Sequence, residues 1–151
     1  MDKEQTETHD SQPPGQVLHA TSVAFGSRAA LIVGPSGSGK SALGLMLIGL
    51  GAKLVADDRT LLRGWGGALI ASAPPGLPPL IEARGVGLLR AVICPEAEVV
   101  LVVDLGQSET LRLPPRRSVT FESVSVDLVH GPISAYFPAA IRQYVLSGRE
   151  D

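Results

Sequence analysis

Arg28–Ser41 reads RAALIVGPSGSGKS. Arg28–Val33 is a nearly unbroken apolar run, the pattern of a parallel strand covered on both faces. Gly34-Pro35-Ser36-Gly37-Ser38-Gly39-Lys40-Ser41 then satisfies G-x-x-x-x-G-K-[ST] at every fixed position. The residue types have a common physical purpose. Glycine lets backbone N–H groups converge on phosphate oxygens without a Cβ in the way. A helix opening near Lys40 adds the positive end of its dipole. The Lys40 ammonium neutralises β- and γ-phosphate charge, and the Ser41 hydroxyl is placed to ligate magnesium. Gly34, Ser36, Gly37, Ser38, Gly39, Lys40 and Ser41 are therefore the predicted nucleotide-binding set, with ATP and Mg²⁺ as its ligands. The rival, a Gly/Ser-rich turn followed by a surface lysine, explains neither the strand before nor the helix after.

Outward from this loop, Lys40–Leu50 reads as a helix ended by Gly51 in the C′ position. Gln16 to Phe25 alternates and predicts one strand. Lys53–Ala56 predicts a short buried strand that runs into Asp57-Asp58-Arg59. Thr60–Arg63 and Ala68–Ala73 form a hairpin around Gly64-Trp65-Gly66-Gly67. Ala73–Pro79 (APPGLPP) is loop, because its prolines remove ladder donors. Val99–Asp104 is a strongly apolar strand, Leu113–Ser118 (LPPRRS) a basic loop, Val119–Val129 a continuous alternating strand, and Pro138–Leu146 a helix with Ile141, Val145 and Tyr144 inward. The fold class is α/β, strand-rich with few helices. Residues 1–15 read as a mobile polar tail, 16–147 as one catalytic domain and 148–151 as a short C-terminal tail.

The chain has 151 residues and a formal net charge of −2. Such a balance gives no global attraction to nucleic acid or to an anionic membrane. No apolar run reaches the roughly 18 residues of a spanning helix, and no basic-then-apolar leader is present. The lone Cys94 excludes an internal disulfide and a multi-cysteine zinc site, and reads as a small core residue. The expected location is the cytoplasm. The sequence contains no asparagine, so the Asn-Lys-x-Asp element that reads guanine is missing and ATP is favoured.

Two further clusters carry chemistry. In Leu54-Val55-Ala56-Asp57-Asp58, adjacent carboxylates leave a buried strand soon after the phosphate-loop helix. An aspartate beside Mg·ATP can take a proton from a substrate hydroxyl; the alternative is an Asp pair that shapes a turn. In Ile81-Glu82-Ala83-Arg84-Gly85-Val86-Gly87, Glu82 can reach a magnesium ion and Arg84 can clamp a phosphate. The alternative is a same-face ion pair on an exposed strand, worth about 0–1 kcal/mol.

The phosphate loop, the Leu-Val-Ala-Asp-Asp segment and the Glu-x-Arg-Gly-x-Gly signature, in this order, resemble the catalytic domain of bacterial HPr kinase/phosphorylase. The resemblance runs from Val17 to Leu146 and is to the short form associated with alphaproteobacteria, without the N-terminal regulatory domain. It implies a phosphate-loop α/β fold like that of phosphoenolpyruvate carboxykinase. It also implies an ATP- and Mg²⁺-dependent serine kinase acting on an HPr-like phosphocarrier protein of a phosphotransferase system or phosphorelay, with phosphorolysis of phosphoserine as a second activity. By the same resemblance Asp57 is the catalytic acid/base, and Asp58 and Glu82 join Ser41 at the metal. His19, in a Leu-His context, is a catalytic candidate whose other reading is a hydrogen-bonded structural residue. Arg117, in Pro115-Arg116-Arg117, reaches the site of a neighbouring subunit in a homo-oligomer, with a hexamer as the implied assembly. The sequence departs from the family pattern at Pro35 and Ala42, where acidic residues are frequent.

Two other readings stay open. Val99–Asp104 has the form of a Walker B strand, so Asp104 would hold magnesium in an ATPase switch or small-molecule kinase. A nucleotide-sensing module without chemistry is the third.

Overall fold

The computed structural model describes residues 15–131 and 134–151. The tail expected at residues 1–15 therefore lies, except for Gly15, outside the described residues. Among the described residues the chain forms eleven strands and two helices, in agreement with the strand-rich α/β expectation. In chain order these are β1 (Gln16–Leu18), β2 (Thr21–Phe25), β3 (Arg28–Val33), α1 (Lys40–Gly49), β4 (Lys53–Ala56), β5 (Thr60–Trp65), β6 (Ala68–Ser72), β7 (Leu80–Ala83), β8 (Gly87–Arg90), β9 (Glu96–Ser108), β10 (Arg117–Phe121), β11 (Val124–Gly131) and α2 (Phe137–Ser147).

One large mixed sheet runs β1-β5-β6-β9-β3-β2-β4, with β11 adding to β9 and β10 to β11; β7 and β8 form a separate hairpin. Strands β3, β9 and β11 are parallel, with Val33 beside Asp104 and Asp104 beside His130. Their C-terminal ends thus share one edge of the sheet, where α/β proteins place ligands. The phosphate loop leaves β3 at that edge.

Alternation along β3 explains why its run is apolar throughout. Ala30 and Ile32 face the helices and join Leu43, Leu47, Ile141 and Val145 in one buried cluster. Ala29 and Leu31 face the other way and meet Val55, Leu62, Leu69 and Val102 in a second. Helix α1 buries Leu43, Gly44 and Leu47 against the sheet. Helix α2 buries Pro138, Ile141 and Val145, and two polar contacts fix it: Arg28 Nε donates to the Val145 carbonyl (2.6 Å), and Tyr144 Oη donates to Asp127 Oδ2 (2.9 Å). Burial and the Asp127 carboxylate together raise the Tyr144 pKa.

Several boundaries differ from the sequence reading. The expected strand from Gln16 to Phe25 is broken at His19-Ala20, and every residue of Thr21–Phe25 is buried, so alternation was not the rule there. The Ala20 N–H bonds the Asp58 carbonyl (3.1 Å) instead of continuing a ladder. Val119–Val129 is not one strand. It folds back at Glu122-Ser123, whose positive φ angles (51° and 63°) are those of a tight hairpin turn. Gly64 abuts this turn: a Cβ there would stand 2.8 Å from the Glu122 carbonyl oxygen. Arg117, expected in a loop, opens β10. Strand β9 extends beyond the expected Val99–Asp104 in both directions, because β6 pairs with its start and β11 with its end. Cys94 is half-buried beside the second cluster, its thiol 3.3 Å from the Glu96 carbonyl. Residues 148–151, expected as a tail, are tied down: Arg149 donates to the Pro114 carbonyl, and Arg116 donates to the carbonyls of Arg149 and Asp151.

At Gly44 α1 lies close against the sheet, since a Cβ there would lie 2.8 Å from Thr21 Cγ2. Gly49, in the same helix, has nothing within 4 Å. Urea unfolding should therefore separate them. Gly44→Val should destabilise the fold by about 1–3 kcal/mol through overpacking, whereas Gly49→Ala should stabilise it by about 0.5–1 kcal/mol through helix propensity.

Candidate functional site

The phosphate loop takes the shape its glycines permit. Gly34, Gly37 and Gly39 have φ of 150°, 82° and 100°, and Gly39 is the N-cap of α1. At Gly34 a Cβ would stand 2.7 Å from Ser38 Oγ, so a side chain there would push into the cradle. Ser38 Oγ is itself buried without a hydrogen-bond partner. The Lys40 ammonium bends back across the loop and donates to the carbonyls of Gly34 (2.8 Å) and Pro35 (3.2 Å).

Asp57 lies directly beside this loop. Its Oδ1 accepts from the Ser41 hydroxyl (2.7 Å) and from the Thr21 hydroxyl (2.8 Å), and its Oδ2 accepts from the Glu82 backbone N–H (3.2 Å). One carboxylate thus joins α1, β2 and the β7–β8 hairpin. Thr21 is fully buried and was not singled out in the sequence; a hydroxyl inside an apolar strand was the available signal. Beneath it the Thr60 hydroxyl donates to the Ala20 carbonyl and pairs with Ser22 Oγ, each at 3.0 Å, so the buried hydroxyls here are satisfied.

Asp58 behaves differently. Its φ is 71°, a left-handed conformation that costs a non-glycine residue about 1–2 kcal/mol. It is exposed, and its carboxylate is 3.7 Å from Nδ1 of His19, which is exposed at the break between β1 and β2. The two adjacent aspartates therefore have distinct environments, one held by three donors and one open.

A cleft of about 560 Å³ opens over the loop. Its floor and one wall are Thr21, Asp58 and the loop itself, and its other wall is Glu82–Arg84 with Val86. The structure thus brings Ser36, Gly37, Gly39, Lys40, Ser41, Asp58, Glu82 and Arg84 to one cavity, with Asp57 behind Ser41. Neither Asp57 nor Asp104 is a lining residue, but Asp57 meets the Ser41 hydroxyl, whereas Asp104 ends up beside Val33 with its Oδ1 accepting from the Gly106 N–H (2.8 Å). The Walker B reading would have Asp104 hold magnesium; the carboxylate that meets the loop hydroxyl Ser41 is that of Asp57.

Among the described residues no three His, Cys, Asp or Glu side chains converge as a metal cage. Magnesium takes one or two carboxylates and completes its shell with water and phosphate oxygens. Ser41, with Asp57 and Asp58 nearby and Glu82 on the facing wall, fits that requirement.

Arg117 lies outside the cleft of its own chain. It forms an ion pair with Glu109, whose carboxylate also accepts from the Thr110 and Leu111 N–H groups (3.1 and 3.2 Å). Burial pushes the Glu109 pKa up, but these donors and the Arg117 charge outweigh it and hold it below the ordinary value. Among the described residues no helix is long and apolar enough to cross a membrane.

Residues 13–113, more than half of the chain, match the family model described as HPr Serine kinase C-terminal domain. The chain is 36% identical to an HPr kinase/phosphorylase of Mycoplasmopsis pulmonis over 61% of its own length and 32% of the relative's. It is 35% identical to the Burkholderia lata HPr kinase/phosphorylase over 80% of itself and 39% of that protein. It is 30% identical to HPr kinase/phosphorylase 1 of Oceanobacillus iheyensis over 79% of itself and 41% of that protein. The chain therefore spans about a third to two-fifths of the curated relatives it matches. A solved structure, the Hpr(Ser) kinase/phosphatase from Coxiella burnetii, superposes with a TM-score of 0.73 at 26% identity, covering 87% of this chain and 88% of that one.

The Glu109–Arg117 pair gives a signed pH dependence. A carboxyl with a depressed folded-state pKa contributes stability that is present above its unfolded-state value and lost as pH falls through the folded-state value. Side-chain carbon NMR should place the Glu109 midpoint below the ordinary glutamate value, and Glu109→Gln should remove that part of the acid sensitivity.

Proposed function

The chain belongs to the HPr serine kinase C-terminal domain family, and on that premise we propose that it is an ATP- and magnesium-dependent serine kinase acting on an HPr-like phosphocarrier protein, in the cytoplasm. The observation that supports this most directly is the Asp57 carboxylate, which accepts from the Ser41 hydroxyl and from the Glu82 N–H behind a cleft lined by Lys40, Ser41, Glu82 and Arg84. A phosphate loop by itself indicates only phosphate binding. A carboxylate joined to the loop hydroxyl, with an arginine across the cleft, adds the parts needed to transfer a phosphoryl group.

The reaction runs as follows. The loop amides and Lys40 hold the triphosphate, and Arg84 clamps the moving phosphoryl group from the opposite wall. The acceptor seryl oxygen forms a bond to the γ-phosphorus as the bond to the β,γ-bridging oxygen breaks, releasing ADP. The seryl proton passes to Asp57 through Oδ2, which carries one donor at 3.2 Å against two on Oδ1. Ser41, with Asp58 and Glu82, would hold magnesium, which would supply positive charge to offset that of the phosphates. His19 steadies Asp58 from the exposed side. In the phosphorolytic direction an oxygen of inorganic phosphate attacks the phosphoserine phosphorus, pyrophosphate forms, and protonated Asp57 returns its proton to the seryl oxygen. Arg117 acts in a neighbour's site within a homo-oligomer, for which a hexamer is the proposed form.

Purified protein incubated with γ-labelled ATP, Mg²⁺ and an HPr-like carrier should yield phosphoserine on the carrier. Asp57→Asn should lower transfer by about 10²–10⁴-fold, the range for a lost general base, with ATP binding retained. Asp104→Ala should leave transfer near the wild-type rate. Full turnover by Asp57→Asn together with loss in Asp104→Ala would return the assignment to a Walker B ATPase.

A further inference from the structure

Beyond the phosphate cradle the cleft continues along α1, and its character changes. Residues four apart on a helix share a face. Ser41 and Ala42 therefore line up with Leu45 and Met46, and all four border the cleft. From Lys40 to Met46 the helix axis advances about 9 Å at 1.5 Å per residue. That is the reach of a nucleoside extending from phosphates fixed at the helix start. Val86, on the turn after Arg84 that Gly85 makes possible with its φ of 84°, borders the same cleft. Met46 and Val86 are 40% and 75% exposed, so both offer apolar surface to a ligand in it. The charged side chains of this wall, Glu82 and Arg84, come earlier in the hairpin. The side chains of Ala42, Leu45 and Val86 have no hydrogen-bonding atom, and Met46 has only a weakly accepting thioether.

We infer that the exposed apolar side chains of Met46 and Val86 form a nucleobase subsite of this cleft, which packs against a purine and has no side chain of its own to read the purine's edge. The inference rests on the proposed triphosphate binding at the cradle, and it names the substrate class more broadly: purine nucleoside triphosphates, not ATP alone. A site that hydrogen-bonds a substrate group rejects analogues strongly, whereas an apolar pocket discriminates weakly. The missing Asn-Lys-x-Asp element removes a preference for guanine; the apolar subsite supplies none for adenine. A methionine sulfur against an aromatic face is a favourable contact for either base.

Calorimetric titration of the full chain with Mg²⁺ and ATP, GTP or inorganic tripolyphosphate tests this. ATP and GTP should bind within about tenfold of each other, as weak apolar discrimination allows. Met46→Ser and, as an independent variant on the other wall, Val86→Ser should each weaken both nucleotides by about three- to tenfold, the scale of a lost apolar contact, and leave tripolyphosphate within about twofold. A preference above about tenfold for one purine overturns the inference while leaving the cradle intact. So do variants that weaken tripolyphosphate as much as nucleotide, or that change nothing. Failure of all three polyanions to bind overturns the cradle and the subsite together.

Discussion

The Asp57 carboxylate is the joint on which the cleft depends. It accepts hydrogen bonds from Ser41 at the start of α1, Thr21 in β2 and the Glu82 N–H in the β7–β8 hairpin. The hairpin pairs only within itself, and the large sheet does not extend into it. Its attachment comes from Ile81 in the helix-side cluster, from the contacts of β7 with α1, and from this carboxylate. Charge-assisted hydrogen bonds are about twice as strong as neutral ones, so an ionised Asp57 both sets the hairpin's position and points the Ser41 hydroxyl. Fixing the wall of the cleft and orienting the loop hydroxyl are consequences of one carboxylate.

The neighbouring Asp58 shows what that joint requires of the backbone. Chain leaving β4 with Asp57 turned toward Ser41 must then run into β5, whose start is pinned by the Thr60 hydroxyl on the Ala20 carbonyl. The turn between them places Asp58 at φ 71°, in a region that glycine would occupy without strain. An aspartate there carries a backbone cost and gains a carboxylate that opens onto the cleft beside His19. Strain of this kind is retained where the surroundings over-determine it, which is frequently a functional position. Gly34 and Gly44 meet the opposite demand. Each stands where a side chain would collide, with Ser38 Oγ in one case and Thr21 in the other. Both exclusions surround the same hydroxyl-rich junction.

Much of this was legible in the sequence where one force dominated. The apolar run of β3 followed by glycines and Lys40-Ser41 leaves little freedom, and the strand, loop and α1 fell where expected. Asp57, Glu82 and Arg84 could be named because charged residues at the ends of buried segments stand out. What failed did so for local reasons. Alternation continues from Val119 through Val129, so periodicity gave no sign of the reversal at Glu122-Ser123; neither residue is the Asn or Gly that such turns favour. The break at His19-Ala20 arises from a hydrogen bond to Asp58, almost forty positions away in the chain. Thr21 passed as an ordinary strand residue, since its role depends on which carboxylate lies above it. Residue types and spacing alone did not separate Asp57 from Asp58; the family resemblance assigned them different roles, and the tertiary fold decides which one the hydroxyls reach.

Arg117 raises a question of energetics that the fold itself frames. In its own chain it is held by Glu109, and Glu109 is held in turn by the N–H groups of the segment that follows β9. Next to this pair Arg116 and Arg149 fasten the C-terminal residues to the 114–116 loop. The basic loop is thus neutralised and anchored at home. For Arg117 to serve another subunit's phosphates it would have to leave a charge-assisted contact for one of similar kind, so the exchange is governed by the difference between two ion pairs and not by the full strength of either. In the proposed oligomer a polyanion in the neighbouring cleft would provide that difference, since several phosphate charges attract a guanidinium more strongly than one carboxylate. The proposed role of Arg117 would therefore be favoured by nucleotide bound next door and not in its absence.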